Sequence, residues 1–393
     1  MKKELFLAIA TLVGFVVGAG VLGLPYVFSR SGFITGVLNV ILIGLAVMVL
    51  NLMLGEINLR TKKSHQLVGC AEKYLGKKGK KIMMLFLLLG WYGAMIAYTI
   101  KMGEFFSVLL EPLFLLDPIY YSIIFAMVGG IFIYKGLGVI KKCEFSMIII
   151  TLLIMVVIGI FCLPNINPNN LQIFNLKQFL FPFGVVLFAF GGAGAIPEMK
   201  EILKKDKKLL KKAIIIGTSI SMLIYILFPL FVVGVTGNST TDGAIIGLGN
   251  ALGPRVLLIG ILFGLLTMST SFLVVGLAIK EIFKFDCGNK FKCKINDLIP
   301  SLLACVVPFI IAIIIMFLKI DNAFYKVIDI NGAFIYPITS ILFVLMFWKS
   351  REKGERKPEY VLKYGKLMGW IIILLFLAGF INELIRISNM FFF

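Results

Sequence analysis

Charged side chains are scarce in this chain of 393 residues: 15% are Asp, Glu, Lys or Arg, whereas 60% are hydrophobic. A soluble domain carries about 25% charged residues, so this composition excludes an ordinary soluble protein of the same length. Apolar runs of about 20 residues recur along the chain, and each is long enough to cross about 30 Å of hydrocarbon. The composition therefore predicts an integral membrane protein, without a soluble domain between the apolar runs.

Histidine is almost absent, with one residue, and the six cysteines are scattered through or beside the apolar runs. Cys287 and Cys293 share one loop, but a second cysteine pair is missing, so a zinc site is not expected. The chain also lacks a nucleotide-binding glycine loop and a nucleophile paired with histidine. We therefore expect no enzyme activity, no catalytic residues and no resident cofactor. The cysteines, which we interpret as structural, are at positions 70, 143, 162, 287, 293 and 305.

Acidic residues are few, 20 against 39 Lys and Arg, and the formal net charge is +19. The basic residues form short clusters between apolar runs, without a basic face or a nucleic-acid motif. Such clusters are typical of the cytoplasmic loops of a protein with many membrane spans. We therefore expect the lipid bilayer as a partner, and no nucleic acid.

Apolar periodicity and its interruptions predict an all-α protein with eleven transmembrane helices in a single transmembrane domain, residues 1–393. The first apolar run continues without a clear small-residue cleavage site, so we assign it as span 1 and not as a signal peptide. The predicted spans, numbered 1 to 11 in order, are 5–28, 33–59, 82–111, 119–134, 145–163, 179–198, 209–236, 255–284, 297–318, 324–348 and 367–388.

The basic clusters fall in alternate connections, and this alternation predicts the orientation of the chain. They lie within 2–3, 60–81, 135–142, 200–212, 280–294 and 349–366. The opposite connections carry only Arg30, Lys177, Arg255, Lys319, Lys326 and Arg386. Because Lys and Arg are enriched in cytoplasmic loops, we expect a multi-pass protein of the cell membrane with its N-terminus in the cytoplasm and its C-terminus outside. The external connections 164–178 and 237–254 are long and polar, which suits either a cap over a vestibule or a solvated linker.

Spans 1 and 6 each contain a glycine cluster in mid-span, followed by a proline. In span 1 the glycines begin at Gly14 and precede Pro25; in span 6 they lie at 191–194 and precede Pro197. Glycine costs about 1 kcal/mol and proline about 3 kcal/mol in a helix interior, and backbone groups freed in hydrocarbon must find other partners. Close helix packing, which the spacing of Gly14 and Gly18 allows, is one explanation. A pair of broken helices is the other.

The position of the two clusters, five spans apart, favours broken helices. If residues 5–163 and 179–348 form two five-helix repeats of inverted orientation, spans 1 and 6 are equivalent, and 367–388 is an additional helix. Broken helices at equivalent positions of inverted repeats indicate a binding site near the middle of the membrane.

A zwitterion matches such a pair of breaks. Half-helix N-termini present free N–H groups to a carboxylate, and unwound carbonyls accept hydrogen bonds from an ammonium group. We expect the carboxylate at the amides of Ala19 and Gly20, and the amine at the carbonyls of Phe188, Ala189 and Gly191. The remaining predicted substrate contacts are Gly18, Gly192 and the Tyr98 hydroxyl.

Three segments resemble the amino acid/auxin permease family. Residues 18–26 (GAGVLGLPY) are similar to the start of these permeases, and residues 188–198 (FAFGGAGAIPE) to their helix 6 signature. Residues 270–277 (TSFLVVGL) look like the same stretch of a bacterial branch, the tryptophan/tyrosine permeases. The family belongs to the amino acid–polyamine–cation superfamily, so the resemblance implies the leucine-transporter (LeuT) fold: a 5+5 inverted repeat, plus one extra helix here. It also implies alternating access and symport of amino acids with H⁺ or Na⁺. We expect neutral amino acids as substrates, aromatic ones among them.

The resemblance also implies a cation site, because sodium-driven relatives of this fold hold Na⁺ between helix 1 carbonyls and helix 8 hydroxyls. Here the carbonyls are those of Gly14 and Val17. Span 8 offers Thr267, Thr270 and Ser271, whose spacing places three hydroxyls on one face. Hydroxyls that only bond carbonyls of their own helix are the alternative. A proton could instead use Glu56, Glu104, Glu198 or Asp329.

Four ionisable residues are candidates for coupling or gating. Lys101 and Glu104 lie one turn apart within span 3, where charges are costly and usually paired. Glu56 and Glu198 lie near the cytoplasmic ends of their spans, where loop lysines can pair with them. Mutual neutralisation and solvated helix ends are the structural alternatives. The predicted function is amino acid transport, with an amino-acid sensor that scarcely transports as the alternative; the oligomeric state is left open.

Overall fold

The computed structural model describes residues 2–62, 66–136, 140–172, 174–284 and 297–392, and within these ranges every regular element is helical. Cys287 and Cys293 lie outside the described residues. The α-helices are α1 (Lys2–Val16), α2 (Gly20–Ser31), α3 (Phe33–Arg60), α4 (Leu67–Leu110), α5 (Pro118–Lys135), α6 (Ile140–Cys162), α7 (Phe183–Ala189), α8 (Ala195–Ile202), α9 (Leu209–Thr236), α10 (Ile245–Leu252), α11 (Pro254–Ile282), α12 (Leu298–Phe317), α13 (Ala323–Ile330), α14 (Tyr336–Lys353) and α15 (Gly365–Phe392).

Eight helices in the described ranges are long and apolar enough to cross a membrane, and α1 with α2 forms a ninth such unit bent by 57°. Predicted span 5 corresponds to α6, of which the apolar helix from Ile149 is described in full. Predicted span 6 corresponds to two short helices, α7 and α8. All the helices that satisfy the length criterion occupy predicted spans, so the chain is a multi-pass membrane protein.

The centre of the bundle is α4, which packs against α5, α11, α12, α13 and α14. The bent pair lies beside it: α1 contacts α8 and α9, and α2 contacts α3, α7 and α9. Many large apolar side chains are exposed on the outer faces of the helices, such as Leu153, Ile160 and Leu374. An apolar outer surface around a packed interior is the arrangement that a bilayer requires.

The helix that contains span 3 begins earlier than the sequence predicts. We expect it to start at 82, whereas α4 is helical from Leu67 and is interrupted only at Gly76, where φ is 74°. The lysines of this segment suggest a loop, but Leu67, Val68 and Ala71 are buried. An amphipathic first arm therefore packs on the bundle, and a glycine in the left-handed region redirects the chain into the membrane.

The connection 237–254 is also not a plain linker, since it contains α10. Ile245 and Leu248 of this helix are fully buried against the bundle. Connection 164–178, by contrast, contains only 3₁₀ turns in its described residues. Because 237–254 packs on the bundle through α10, we call it the capping connection; that it covers a vestibule stays a prediction.

Predicted span 10 contains an irregularity that the sequence does not indicate. Between α13 and α14, Asn331–Ile335 form a π-helix. Here Gly332 lies directly on the backbone of Gly184, where no β-carbon could fit, and the Asn331 side-chain amide donates to the Gly90 carbonyl at 2.7 Å. The π turn therefore lets this helix approach both α7 and α4.

Candidate functional site

The first helix break lies between Val16 and Gly20. The Gly18 amide turns back to the Val16 carbonyl (2.9 Å). The first turn of α2 then closes with i→i−3 bonds, from the amides of Val21 and Leu22 to the carbonyls of Gly18 and Ala19. Within the described residues, the amides of Ala19 and Gly20 donate to no backbone carbonyl. The two donors predicted for the carboxylate are therefore unpaired at the N-terminus of α2.

The second break separates α7 from α8 over residues 190–194. The amide of Gly191 donates to the Phe188 carbonyl (3.0 Å) and that of Gly192 to the Phe190 carbonyl (2.7 Å). In the part of the chain that the structure describes, the amides of Ala193 and Gly194 donate to no backbone carbonyl. This break therefore also has free donors, at the N-terminus of α8.

The two breaks contact each other directly. A β-carbon at Gly20 would lie 2.5 Å from the Cα of Ala189, and one at Gly192 would collide with the Val16 side chain. Gly20 is therefore needed for close approach of backbone to backbone, and Gly192 leaves room for the Val16 side chain. The unwound segments of predicted spans 1 and 6 form one continuous polar region inside the bundle.

Tyr225 of α9 joins the two breaks, and the sequence analysis did not single it out. Its hydroxyl lies 2.6 Å from the carbonyl oxygen of Val16 and 2.7 Å from that of Ala189. These carbonyls end α1 and α7, where helix termini leave acceptors unpaired. A tyrosine hydroxyl in the middle of a predicted span is the signal that could have identified it.

A cavity of about 50 Å³ lies at the junction of the breaks, and we call it the central cavity. Seven of the eight predicted substrate contacts line it, while Gly192 lines a neighbouring cavity. Among the described residues, no Asp, Glu, Lys, Arg or His lines it, and its aromatic side chains come from Phe15, Trp91, Tyr98, Phe188 and Tyr336. The predicted contacts that line it are Gly18, Ala19, Gly20, Tyr98, Phe188, Ala189 and Gly191.

The predicted cation ligands are brought together only in part. Gly14, Thr270 and Ser271 line the central cavity, whereas Val17 and Thr267 do not. A β-carbon at Gly18 would lie 2.8 Å from Ser271 Oγ, so α11 contacts the first break.

The three predicted hydroxyl ligands in α11 donate to carbonyls of their own helix. Thr267 bonds Phe263 at 2.5 Å, while Thr270 and Ser271 both bond the carbonyl of Thr267, at 2.9 and 3.0 Å. A hydroxyl that donates its hydrogen keeps lone pairs for a cation. The back-bonding alternative and a cation site are thus compatible.

Lys101 is the centre of one buried ion cluster. Its side chain is 1% exposed, pairs with Glu104 in the same helix, and lies 2.7 Å from Asp242 in the connection before α10. Its ammonium group also lies 5.1 Å from the ring of Phe324 in α13. Asp242, which sequence reasoning missed, ties the capping connection to α4.

Glu56 is the centre of a second cluster, at the opposite end of the bundle. Its carboxylate accepts hydrogen bonds from Arg60 (2.8 Å), Arg351 (3.1 Å) and the backbone amide of Leu362 (2.8 Å). This cluster joins α3, α14 and the 354–364 connection. Glu198 is exposed in the first turn of α8.

Comparisons with known proteins agree with this geometry. The pattern of the tryptophan/tyrosine permease family matches residues 1–384. The tyrosine-specific transport system 1 of Haemophilus influenzae is 27% identical over 92% of both chains. The glutamine transporter 2 of Aliivibrio fischeri is 27% identical over 71% of this chain and 74% of its own.

Solved structures show the fold. The crystal structure of MhsT in complex with L-phenylalanine superposes with a TM-score of 0.71 at 15% identity, covering 95% of this chain and 98% of that one. An Eremococcus coleocola manganese transporter superposes with a TM-score of 0.69 at 11% identity, covering 98% and 87%. The fold is that of the leucine-transporter class. By the match over almost its full length, the chain belongs to the tryptophan/tyrosine permease family.

Proposed function

We propose that this protein is a secondary active transporter that moves neutral amino acids, aromatic ones among them, across the cell membrane by alternating access. The observation that carries the proposal is the junction of two helix breaks at one cavity. The unpaired amides of Ala19 and Gly20 are donors for a carboxylate. The carbonyls of Phe188 and Ala189 each accept one hydrogen bond and keep a lone pair for an ammonium group.

The lining of the central cavity supports a substrate without net charge. Among the described residues that form this lining, none has an ionised side chain that could balance a charged substrate. Aromatic rings form part of the cavity wall. Relatives named for tyrosine, tryptophan and glutamine transport point the same way. A zwitterion with an apolar or aromatic side chain satisfies both the unpaired backbone groups and the walls.

The proposal includes the full topology. Eleven spans form two inverted five-helix repeats at 5–163 and 179–348 and an additional helix at 367–388. They account for every helix from α1 to α15 except α10, which lies in the 237–254 connection, and α1–α2 and α7–α8 are the broken spans. The N-terminus is cytoplasmic and the C-terminus extracellular. The basic clusters at alternate connections support this orientation.

The coupling ion is Na⁺ or H⁺. For Na⁺, the ligands are the carbonyls of Gly14 and Val17 with hydroxyls of Thr267, Thr270 and Ser271. The contact of Gly18 with Ser271 supports this site, because it places α11 against the first break. For H⁺, the carboxylates of the buried ion clusters are the acceptors.

The two ion clusters are proposed gates. In this orientation, the Lys101–Glu104–Asp242 cluster closes the external side, because it ties the capping connection to α4. The Glu56 cluster closes the cytoplasmic side together with the 354–364 connection. Glu198 lies on α8, at the same side, as a further gating candidate. Opening one side requires its cluster to separate.

Counterflow in proteoliposomes tests the proposal. Purified protein is reconstituted with unlabelled amino acid inside, and entry of labelled L-tyrosine, L-tryptophan, L-phenylalanine and L-glutamine is followed under imposed Na⁺ or pH gradients. We expect saturable entry of at least one of them, driven by one gradient. Tyramine and 3-(4-hydroxyphenyl)propionate, which lack the carboxylate and the amine respectively, should compete at least about tenfold more weakly than tyrosine, because each leaves one break unpaired.

Two outcomes would contradict the proposal. Equal competition by tyramine would show that the carboxylate does not contact the first break. Tight binding of an amino acid without any counterflow would favour the sensor, the alternative function.

A further inference from the structure

A second cavity of about 50 Å³ adjoins the central cavity, and we call it the Asn51 cavity. The two share Phe15, Trp91, Gly191 and Tyr336 as lining residues. The Asn51 cavity lies on the side of the breaks that faces the Glu56 cluster, since Leu50 and Asn51 of α3 line it one to two turns before Glu56. A molecule that left the central cavity toward this end of the bundle would enter it.

Asn51 is the polar residue that distinguishes this cavity. It is 2% exposed, and its side-chain amide nitrogen has no hydrogen-bond partner among the described residues. A buried donor without a partner costs about 1–3 kcal/mol, so such groups call for a ligand or an ordered molecule. Asn58, two turns further along α3, is equally buried, but its side-chain amide donates to the Leu54 carbonyl at 2.9 Å. Among the buried asparagines of α3, the side-chain amide of Asn51 alone is unpaired within the described residues, because Asn39 donates to the Thr35 carbonyl.

The second break contributes further donors to the same cavity. Ala193 and Gly194 line it, and their amides donate to no backbone carbonyl within the described ranges. They precede α8, so the positive end of its dipole is at the cavity. Opposite them are Thr339 and Ser340 of α14. Unpaired N–H groups from α3 and from the second break therefore line one small space.

The walls of the Asn51 cavity are apolar and aromatic. Phe86, Leu87, Phe190 and Phe343 contribute to them, and in the part of the chain that the structure describes no Asp, Glu, Lys, Arg or His lines the cavity. Unpaired N–H donors repel a cation and suit a carboxylate, while the absence of a basic side chain suits a ligand without net charge. This chemistry is that of an amino acid.

We propose that the Asn51 cavity is a second binding site for the transported amino acid, occupied after it leaves the central cavity and before it reaches the cytoplasm. The Asn51 amide and the amides of Ala193 and Gly194 hold the carboxylate, and the aromatic walls hold the side chain. This inference rests on the proposed function. It adds a site that uses the α8 end of the second break, whereas the central cavity uses the first break.

Binding stoichiometry tests the proposal. Purified wild-type protein and variants are titrated to saturation with tritiated L-tyrosine, L-tryptophan, L-phenylalanine and L-glutamine, and bound ligand per chain is counted for each amino acid that binds. We expect two bound molecules per chain for the wild type and one for Asn51→Leu. Asn58→Leu is the matched control, because Asn58 lies in the same helix and is equally buried. This variant should still bind two molecules per chain. Gly20→Leu, which fills the first break, should bind one molecule per chain. The double variant Gly20→Leu/Asn51→Leu should bind none.

A second variant at the same position keeps the test valid if Asn51→Leu misfolds. Asn51→Asp keeps the shape of the side chain and places a carboxylate against the carboxylate of the ligand, so the second site should weaken at least about tenfold near pH 7.5. Each variant is compared with the wild type in thermal stability and in monodispersity. Retained folding with loss of one site in both variants would support the proposal.

The failures are distinguishable. One bound molecule in the wild type, unchanged in Asn51→Leu and Asn51→Asp, would mean that the cavity holds water only, and the proposed transport function would stand without it. Absence of binding and of counterflow with every amino acid of the panel would overturn both proposals.

Discussion

The hydroxyl of Tyr225 donates a hydrogen bond to the carbonyl oxygen of Val16 across 2.6 Å, and the carbonyl oxygen of Ala189 lies 2.7 Å from the same hydroxyl. A tyrosine hydroxyl has one hydrogen, so it can bond fully to only one of two acceptors at a time. One side chain of α9 thus links the end of α1 to the end of α7. Movement of either half-helix must shift or break this link.

Replacing Tyr225 by phenylalanine should slow transport. The change removes the hydroxyl, so the Ala189 carbonyl loses this donor and the Val16 carbonyl keeps the Gly18 amide. The loss costs about 1–3 kcal/mol, on the order of a tenfold change in the populations of the states that need the link. We expect initial counterflow to fall about tenfold at unchanged membrane expression.

The matched control for this change is Tyr121→Phe. Tyr121 lies in α5, away from both breaks, and is also buried. Its hydroxyl donates to the Phe114 carbonyl at 3.0 Å. It should transport as the wild type does. Equal slowing of both variants would show a general loss of stability and no role for the link.

Adding a single methyl group at Gly20 should abolish uptake. The new β-carbon would lie 2.5 Å from the Cα of Ala189, which is backbone and cannot rotate away, so the two breaks would have to separate. Gly20→Ala, and more strongly Gly20→Leu, should therefore lose most counterflow while the protein still reaches the membrane.

Gly130→Ala is the control for Gly20→Ala. Gly130 lies in α5, where an added β-carbon would contact only Cys305 atoms at 3.8 Å. Uptake by this variant should be normal. Normal uptake by Gly20→Ala would indicate that the glycines serve helix packing only.

The hydroxyls of α11 should govern Na⁺ dependence. In the double variant Thr270→Ala/Ser271→Ala the central cavity loses two oxygen ligands, so the Na⁺ concentration for half-maximal uptake should rise at least about tenfold. Ser221→Ala, which removes a buried hydroxyl that donates to the Gly217 carbonyl in α9, should leave Na⁺ dependence unchanged. Uptake that does not depend on Na⁺ and is driven by the pH gradient would refute this Na⁺ site and favour the carboxylates as proton acceptors.

Removing Lys101 should be costly because it leaves Glu104 and Asp242 facing each other without a cation. We expect Lys101→Met to lose at least about tenfold in uptake, and the added change Asp242→Asn to restore part of it, since it removes one of the two like charges. Lys349→Met removes an exposed pair with Glu352 and should have little effect. Additive losses in the double variant would show that Lys101 and Asp242 act independently.

The positions of the breaks follow from the sequence because their cause is local. Glycine and proline lower helix propensity, so the clusters near Gly18 and Gly191 predict an interruption in the middle of each span. The structure has non-helical backbone there, at 17–19 and 190–194. The predicted contacts of a zwitterion then follow from helix chemistry. Seven of these eight predicted residues do line one cavity.

Features that depend on tertiary contacts were not accessible from the sequence. The early start of α4 depends on Leu67 and Val68 packing on the bundle, and the lysines around them obscure that pattern. The partnership of Asp242 with Lys101 joins residues 141 positions apart, which spacing cannot indicate. The roles of Tyr225 and Asn51 likewise depend on what neighbouring helices leave unpaired.

An experimental structure with bound L-tyrosine, at a resolution that shows the carboxylate, tests the central claim most directly. The account predicts a carboxylate oxygen within about 2.7–3.2 Å of the amide nitrogens of Ala19 and Gly20, with the amine beside the carbonyls at Phe188 and Ala189. Tyrosine bound elsewhere, or continuous helix through residues 17–19 and 190–194, would contradict it.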